Sequence, residues 1–251
     1  EELDRSVQTP DQIRTIARTL RDNWQSDLFP QRQELPKTLV FAKDDTSHWR
    51  LARQFETRVV DKRYLALVHG LVEPAVEVID KPIGPHPSRE KGYREKYVVR
   101  HDVLGKPSVT ICRVRARFER PGGDAPSHRY SLVELELKTG RTHQIRVHLS
   151  HGGYPIVGDD MYGGVPLIGS EILPNSDKVE GELETPFIAR QALHAATLSF
   201  RHPATQALMS FLAPLPADMT AGLAALRTMD PAARRLDPPG ATVDLAGLLP
   251  G

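Results

Sequence analysis

Residues 130–153 read YSLVELELKTGRTHQIRVHLSHGG and contain the clearest pattern of secondary structure in the chain. The part over 130–137 is typical of a strand, because apolar residues recur along it without a helical period. A short polar loop follows, and Thr142 can cap a helix over 143–151. The closing Gly-Gly pair ends that helix. A strand, a loop rich in hydrogen-bonding side chains and a helix are therefore predicted in direct succession.

Further strands and helices are predicted on both sides of this stretch. Apolar runs and alternation indicate strands over 38–42, 59–69, 109–118, 193–200 and 208–212. Helical spacing of apolar residues indicates helices within 1–35 and over 49–58 and 217–227. Residues 165–187 are expected to form a loop-like insertion. The pattern predicts an α+β fold with a mixed, mainly antiparallel sheet and helices on one side.

The composition excludes several classes of protein. Of the 251 residues, 39% are hydrophobic and 26% are charged, so the chain can bury a core. No apolar run approaches the roughly 18–20 residues of a membrane span, and the stretch Glu1–Asp4 does not begin a secretory signal. The one cysteine, Cys112, excludes an internal disulfide and a multi-cysteine metal site. We therefore expect a cytoplasmic protein without a membrane segment.

Positive charge is concentrated in one segment, although the whole chain carries only +1. Residues 84–115 hold eight basic and three acidic residues, a net charge of +5, with Tyr93 and Tyr97 among them. Such a segment can follow a phosphate backbone and stack bases on its rings; the alternative is a solvated charged hairpin. On the first interpretation, the contacts to nucleic acid come from Arg89, Lys91, Arg94 and Lys96.

Four sequence blocks point to a known family. They read QFE with KRYLALVHG in 54–70, LKTGRTHQIRVH in 137–148, YPIVGD with YGG in 154–164, and QALHA followed by Phe200 and His202-Pro203 in 191–203. Each block alone is weakly specific, but the four occur in one order at characteristic spacing. Together they resemble the RluA-type family of RNA pseudouridine synthases.

The resemblance implies an enzyme that isomerises uridine in ribosomal or transfer RNA. Such enzymes break the N1–C1′ bond, turn the base and join C5 to C1′, without a metal or organic cofactor. By position, Tyr64 matches the family's active-site tyrosine, and Arg141 matches the arginine that pairs with the catalytic aspartate. An aromatic face can hold the loose uracil, and a cation keeps a desolvated carboxylate ionised. His143 and Arg146, in the same block as Arg141, are expected to contact RNA.

Three histidines near this block invite a metal interpretation. His143, His148 and His151 would point at roughly 0°, 140° and 80° around a helix of about 100° per residue. That spread does not form one face, and no acidic ligand lies in the segment. We therefore expect no metal site, and packing or phosphate contacts for these histidines.

One part of the family pattern is missing. The family's catalytic aspartate lies in a His-Arg-Leu-Asp motif ahead of a strand that resembles Leu39–Lys43, and Arg32 stands at the matching position. The motif occurs nowhere in the chain, and Asp4 lies too far upstream to replace it. Asp44 and Asp45 lie next to the strand end but have no role in the family. We therefore expect RNA binding without efficient isomerisation, because losing the nucleophile removes transition-state stabilisation.

The N-terminal residues carry a second resemblance. The pieces ELDR, TPDQIRT and LPKTLVFAKDD within 1–46 are similar to the R subunit of type I restriction enzymes, at the entry to the second helicase lobe. No Gly-x-x-x-x-Gly-Lys-Ser/Thr loop is present, so we expect no nucleotide cofactor. The hypothesis is a chimera, with a helicase-like fragment over 1–46, a synthase-like domain over 47–227 whose N-terminal part is missing or replaced, and a flexible tail over 228–251.

Two other interpretations remain open at the level of sequence. The chain can be a non-catalytic RNA-binding or assembly factor that uses the cationic segment. It can also be a non-physiological fragment whose incomplete sheet exposes apolar edges. Whether the chain is a synthase or an RNA-binding factor, we expect a monomer whose partner is ribosomal or transfer RNA.

Overall fold

The computed structural model describes residues 42, 44–88, 90, 95–121, 128–172 and 185–249. In these ranges the helices are α1 Asp45–Glu56, α2 Gln144–His151, α3 Gly169–Ile172 and α4 Ala217–Met229. The strands are β1 Asp61–His69, β2 Val76–Asp80, β3 Ile83–Pro85, β4 Tyr97–Val99, β5 Val109–Glu119, β6 Arg129–Leu137, β7 Leu167–Ile168, β8 Pro186–Ile188, β9 Leu193–Arg201 and β10 Leu208–Leu212. The expectations for 1–41 and 43, including most of the helicase-like segment, lie outside the described residues.

Six strands form the main sheet, in the order β10-β9-β1-β6-β5-β2. Strand β1 pairs antiparallel with β6, β6 with β5, and β5 with β2. The pairs β3 with β4 and β7 with β8 form two small antiparallel sheets. The predicted α+β class with a mainly antiparallel sheet is confirmed.

The centre of the main sheet is covered on both faces. Residues 65–68 of β1 alternate between the two faces, yet each is at most 1% exposed. Helix α2 covers one face, where the side chains of Gln144 and His148 both form hydrogen bonds with the Thr110 hydroxyl of β5. The segment that follows α4 covers the other face, where Arg115 of β5 donates hydrogen bonds to its backbone. Burial on both faces explains why residues 65–68 of β1 form an uninterrupted apolar run.

The C-terminal segment differs from its prediction as a flexible tail. Helix α4 extends to Met229, and the segment 230–249 contributes Ala233, Val243, Leu245 and Leu249 to the main hydrophobic cluster. A composition rich in Ala, Pro and Gly suppresses regular structure, but it still allows spaced apolar side chains to be buried. The carbonyl groups of Leu236, Pro239 and Val243 accept hydrogen bonds from arginines of the sheet, so these three backbone groups are satisfied.

The described chain divides into two compact units. The first contains the described residues before Asp61 together with 199–210, and the second contains 61–198 and the described residues from 211 onward. In the first unit, Asp44 caps α1 by accepting the backbone N–H of Ser47 at 2.7 Å. The Asp44 carboxylate, one of the two acids near the predicted strand end, is therefore engaged in local structure.

Within the first unit, α1 is fixed to the segment 199–210. The Gln54 amide donates to the Arg201 carbonyl and accepts the Arg201 backbone N–H, both at 2.8 Å. Arg50 Nη1 donates to the Pro203 carbonyl at 2.9 Å. These bonds place two separate parts of the sequence in one unit.

Two local predictions around the helices are corrected. His143 rather than Thr142 is the N-cap of α2, with a left-handed φ of 55° and no capping bond from its side chain. The reason is that Gln144 Oε1 accepts a hydrogen bond from the Arg141 backbone N–H. Residues 141–144 therefore form a turn before the helix begins. Residues 165–187 were predicted to be loop-like, but the described part contains β7 and α3 and the start of β8.

Candidate active site

Tyr64 lies in the middle of β1 and is half-buried. It is paired with Leu135 of β6, which is paired in turn with Cys112 of β5. Directly paired residues of antiparallel strands point to the same face, so Tyr64 shares its face with Cys112 and Thr110. That is the face that α2 covers. Burial raises the pKa of the Tyr64 phenol, so its hydroxyl is a neutral hydrogen-bonding group near pH 7.

Arg141 lies in the loop between β6 and α2 and is partly exposed. Its backbone N–H donates to Gln144 Oε1 at 3.0 Å, and its Nε donates to the Pro107 carbonyl at 3.2 Å. Because this loop leads directly into α2, Arg141 belongs to the same side of the sheet as Tyr64. Among the residues that the structure describes, no carboxylate lies within 4.0 Å of the Arg141 guanidinium.

Lys62 is a cation near Tyr64 to which the sequence motifs assign no role. It precedes Tyr64 by two residues on β1, so both side chains leave the same face of the strand. Its Nζ lies 3.8 Å from the position that a Cβ on Gly140 would occupy, which places the ammonium beside the loop of Arg141. Burial lowers the pKa of Lys62. The two-residue spacing from Tyr64 was the signal that could have identified it.

His143 is held by a cluster of aromatic rings. Its Nδ1 lies 2.9 Å from the Tyr162 hydroxyl, which also accepts the backbone N–H of Tyr97 at 3.0 Å. Both tyrosine rings meet the imidazole edge to face, at centroid distances of 5.7 Å for Tyr162 and 6.0 Å for Tyr97. Burial, together with the positive charge of Arg146, lowers the pKa of His143 to about 4. The imidazole is therefore neutral near pH 7, so any contact that it makes to RNA is a hydrogen bond without charge.

Arg146 forms a two-pronged ion pair with Asp159. Nε and Nη2 donate to the two carboxylate oxygens at 2.7 and 2.6 Å, and Asp159 is 1% exposed. The guanidinium carbon also lies 4.6 Å from the centroid of the Tyr162 ring. The structure thus gives this predicted RNA contact an internal partner, and the pair holds the loop 156–164 against α2.

The other two histidines of the predicted segment have separate surroundings. His148 is fully buried and hydrogen-bonds to Thr110 and to the Lys81 carbonyl. His151 is exposed at the end of α2. Within the described ranges, no group of three or more His, Cys, Asp or Glu side chains is arranged to hold a metal ion.

The cationic segment 84–115 is only partly a surface feature. Lys96 is half-buried just before β4, whereas Arg113 and Arg115 are buried on the sheet face opposite Tyr64. There Arg113 pairs with Glu136 and Arg115 with Glu134. The net charge of the segment therefore overstates its outward charge. The other predicted contacts of this segment lie outside the described residues: Arg89, Lys91 and Arg94.

Comparison with known proteins identifies the matched region. Residues 38–151 match the family model of RNA pseudouridylate synthases. The chain is 41% identical over 192 residues to the ribosomal large subunit pseudouridine synthase D of Pseudomonas aeruginosa, covering 75% of this chain and 52% of the relative. It is 38% identical over 181 residues to an uncharacterized RNA pseudouridine synthase of Bacillus subtilis, covering 72% of this chain and 49% of the relative.

These comparisons show that the chain is similar to RNA pseudouridine synthases over most of its length. A solved structure of human RNA pseudouridylate synthase domain containing 4 agrees, with a TM-score of 0.53 and 28% identity over 74% of this chain and 69% of that chain. The synthase-like chain spans about half the length of the curated relatives that it matches. The described ranges contain no helix with the length and apolarity that crossing a bilayer requires.

Proposed function

We propose that this chain carries a pseudouridine synthase site that binds uridine of ribosomal or transfer RNA, with Tyr64 and Arg141 as its catalytic residues. The observation that carries the proposal is the common face: β1 presents Tyr64 on the side of the sheet where the loop of Arg141 enters α2. Both residues belong to the part of the chain that matches the family.

The chemistry assigns a task to each side chain. The Tyr64 ring holds the uracil face while the N1–C1′ bond is broken and C5 is joined to C1′, and its neutral hydroxyl offers a hydrogen bond. The Arg141 guanidinium offers the cation that keeps an attacking carboxylate ionised in such a site, and the described residues place no carboxylate beside it. Lys62 adds a second cation beside the same loop. His143 and Arg146 complete the RNA-binding edge at the start of α2.

We propose that isomerisation is impaired, because the His-Arg-Leu-Asp motif is absent from the sequence. The test is incubation with uridine-containing ribosomal RNA fragments, followed by quantification of pseudouridine. We expect RNA binding with less than one product per protein molecule, and clear multiple turnover would refute the impairment. Should turnover occur, Tyr64→Phe and Arg141→Ala are expected to abolish it, whereas exposed His101→Gln is the control.

The second candidate is a non-catalytic RNA-binding or assembly factor. It is favoured by the finding that Arg141 has no carboxylate partner among the described residues, because a synthase needs an ionised acid beside that cation. RNA retention on a filter, measured between low and moderate salt, separates the two candidates. Retention that survives both Tyr64→Phe and Arg141→Ala favours the binding factor, and retention lost with either variant favours the synthase site.

The origin of the N-terminal residues belongs to the same proposal. The hypothesis of a helicase-like fragment over 1–46, joined near Lys43–His48, rests on sequence motifs alone. Sequencing native DNA across codons 35–55 tests it, and a continuous read through both halves excludes an assembly artefact. A broad, non-cooperative thermal melt would instead support a non-physiological fragment.

We further propose a cytoplasmic monomer that uses no nucleotide cofactor. Support comes from the single cysteine and from the missing phosphate-binding loop. Sedimentation velocity at several protein concentrations tests the monomer. A calorimetric titration with ATP tests the cofactor, and measurable heat of saturable binding would contradict it.

A further inference from the structure

Gln144, the first residue of α2, is a buried amide with every hydrogen-bonding group in use. It is 2% exposed. Its Oε1 accepts from Thr139 Oγ1 at 2.7 Å and from the Arg141 backbone N–H at 3.0 Å. Its Nε2 donates to the Val109 carbonyl and to Thr110 Oγ1, both at 3.0 Å. An amide has two donor hydrogens and two acceptor sites, so this side chain is fully satisfied.

The bonds around Gln144 form a closed ring with β5. The backbone N–H of Val109 donates to Thr139 Oγ1 at 2.9 Å, Thr139 donates to Gln144, and Gln144 donates back to the carbonyl of Val109. The loop after β6 is therefore attached to the first residue of β5 by two side chains. The Arg141 backbone N–H also donates to Gln144 Oε1, so the next part of the loop is held by the same oxygen.

Neighbouring groups fix the direction of each hydrogen bond. His148 Nε2 lies 3.0 Å from the Lys81 carbonyl, which can only accept, so Nε2 carries the hydrogen. His148 Nδ1 is then an acceptor and takes the Thr110 hydroxyl hydrogen at 2.9 Å. Thr110 Oγ1 in turn accepts from Gln144 Nε2. Burial lowers the pKa of His148, which agrees with a neutral ring. A network with one consistent arrangement of hydrogens is rigid.

We propose that Gln144 is a positioning residue that acts through Arg141: it holds the backbone of the Arg141 loop in the geometry that the RNA site requires. The inference rests on the proposed function, because it needs Arg141 to act on RNA. It is supported by the absence of a capping hydrogen bond from the His143 side chain. The Gln144 side chain instead binds the backbone just before the start of α2.

The main test is Gln144→Met, which keeps the length of the side chain and removes its polar groups. Ser131→Ala is the matched control, because Ser131 is also fully buried and connects a different loop, accepting from Val72 N–H and donating to the Gly70 carbonyl. We expect amide exchange at Arg141 to accelerate about tenfold in Gln144→Met. In Ser131→Ala the acceleration should occur at Val72 instead.

The functional arm is a double-mutant cycle on binding of the uridine-containing ribosomal RNA fragment. If Gln144 acts through Arg141, Gln144→Met weakens binding about as much as Arg141→Ala, and adding it to Arg141→Ala has no further effect. Ser131→Ala is expected to lower thermal stability to a similar extent while leaving RNA affinity within about twofold of the starting protein.

A milder pair of variants covers the case in which Gln144→Met does not fold. Thr139→Val keeps the shape of the side chain and removes the hydroxyl that links Val109 to Gln144, whereas Thr139→Ser keeps the hydroxyl. We expect faster exchange at Val109 and weaker RNA binding for the valine variant, with both restored toward normal in the serine variant.

The outcomes separate this inference from the proposed function. Unchanged exchange at Arg141 in Gln144→Met overturns the inference directly. Faster exchange with additive losses in the double variant also overturns it, because Gln144 then acts independently of Arg141. If the unsubstituted protein does not bind the RNA fragment, the proposed function fails, while the exchange experiment still decides whether Gln144 fixes the loop.

Discussion

At the scale of single residues, His143 shows how neighbours fix a protonation state. Its pKa of about 4 lies well below the usual 6.5 because the ring is buried, with Arg146 nearby. Asp159 acts in the opposite direction, and the tyrosine rings at 97 and 162 exclude water. Between pH 6.5 and 4 the unfolded chain binds more protons at this residue than the folded chain. The free energy of unfolding therefore falls as the pH drops through this window.

The fall in the free energy of unfolding at acid pH gives a prediction for His143→Gln. The variant is expected to lose less thermal stability between pH 7 and pH 5 than the original protein, because one proton-binding difference between the two states is removed. Buried His148 and half-buried His69, whose pKa values are also lowered, retain part of the acid sensitivity. The measurement is the melting temperature at both pH values, with exposed His101→Gln as control. Equal acid losses in the variant and the original protein would contradict the assignment.

At the scale of elements, the loop 156–164 depends on close backbone packing. A Cβ on Gly164 would lie 1.7 Å from the Ile156 carbonyl oxygen, whereas a Cβ on Gly163 would meet no atom within 4 Å. The loop holds Asp159 for Arg146 and Tyr162 for His143. Space at position 164 therefore controls two contacts of the candidate site.

We expect Gly164→Ala to lower the free energy of unfolding by about 3 kcal/mol or more, since the backbone itself must move. Gly163→Ala is the neighbouring control: only its φ of 89° opposes a side chain, a cost of about 1–2 kcal/mol. Urea unfolding of both variants measures the difference. Equal losses would show that the loop can relax around the added methyl group.

The elements also show what the sequence could predict. Strands β1, β5, β6, β9 and β10 and helices α2 and α4 lie within two residues of their predicted bounds, because long apolar patterns determine them. Strands β2, β3 and β4 were not predicted: β3 and β4, with three residues each, carry too little periodicity, and β2 was missed although it is as long as β10. Tyr64 lies on the sheet face that α2 covers. This placement depends on the register of the paired strands, which local sequence does not determine.

Motifs propose single residues for the candidate site, but they do not give the packing around those residues. Tyr64 and Arg141 came from the family pattern. Lys62 and the role of Gln144 depend on which loop packs against β1 and β5, and the pairing of Arg146 with Asp159 joins residues from separate motifs. The counted charge of 84–115 was misleading for the same reason, because strand alternation buries Arg113 and Arg115.

At the scale of the whole molecule, the second unit has charge buried beneath its C-terminal segment. Glu134 of β6 is fully buried, pairs with Arg115, and accepts the backbone N–H groups of Thr242 and Val243 at 2.9 and 3.2 Å. Its carboxylate thus connects the sheet to the segment 236–243. A buried acid in this position does not by itself add stability, but removing its charge leaves buried Arg115 with the half-exposed Asp237 as its remaining ion-pair partner.

Glu134→Gln is therefore expected to lower the free energy of unfolding by about 2–3 kcal/mol, the loss typical of hydrogen bonds to a charged group. Glu119→Gln is the control, because Glu119 and Arg129 pair at 2.7 Å with both side chains about 40% exposed, and a pair in water contributes about 0–1 kcal/mol. Chemical unfolding gives both values, and limited proteolysis shows whether the segment after α4 is released first in Glu134→Gln. A small loss, with the C-terminal segment still protected, would mean that burial of Val243, Leu245 and Leu249 holds the segment without the charges. In that case the arginines of β5 would serve to order the segment's backbone and would not determine its attachment.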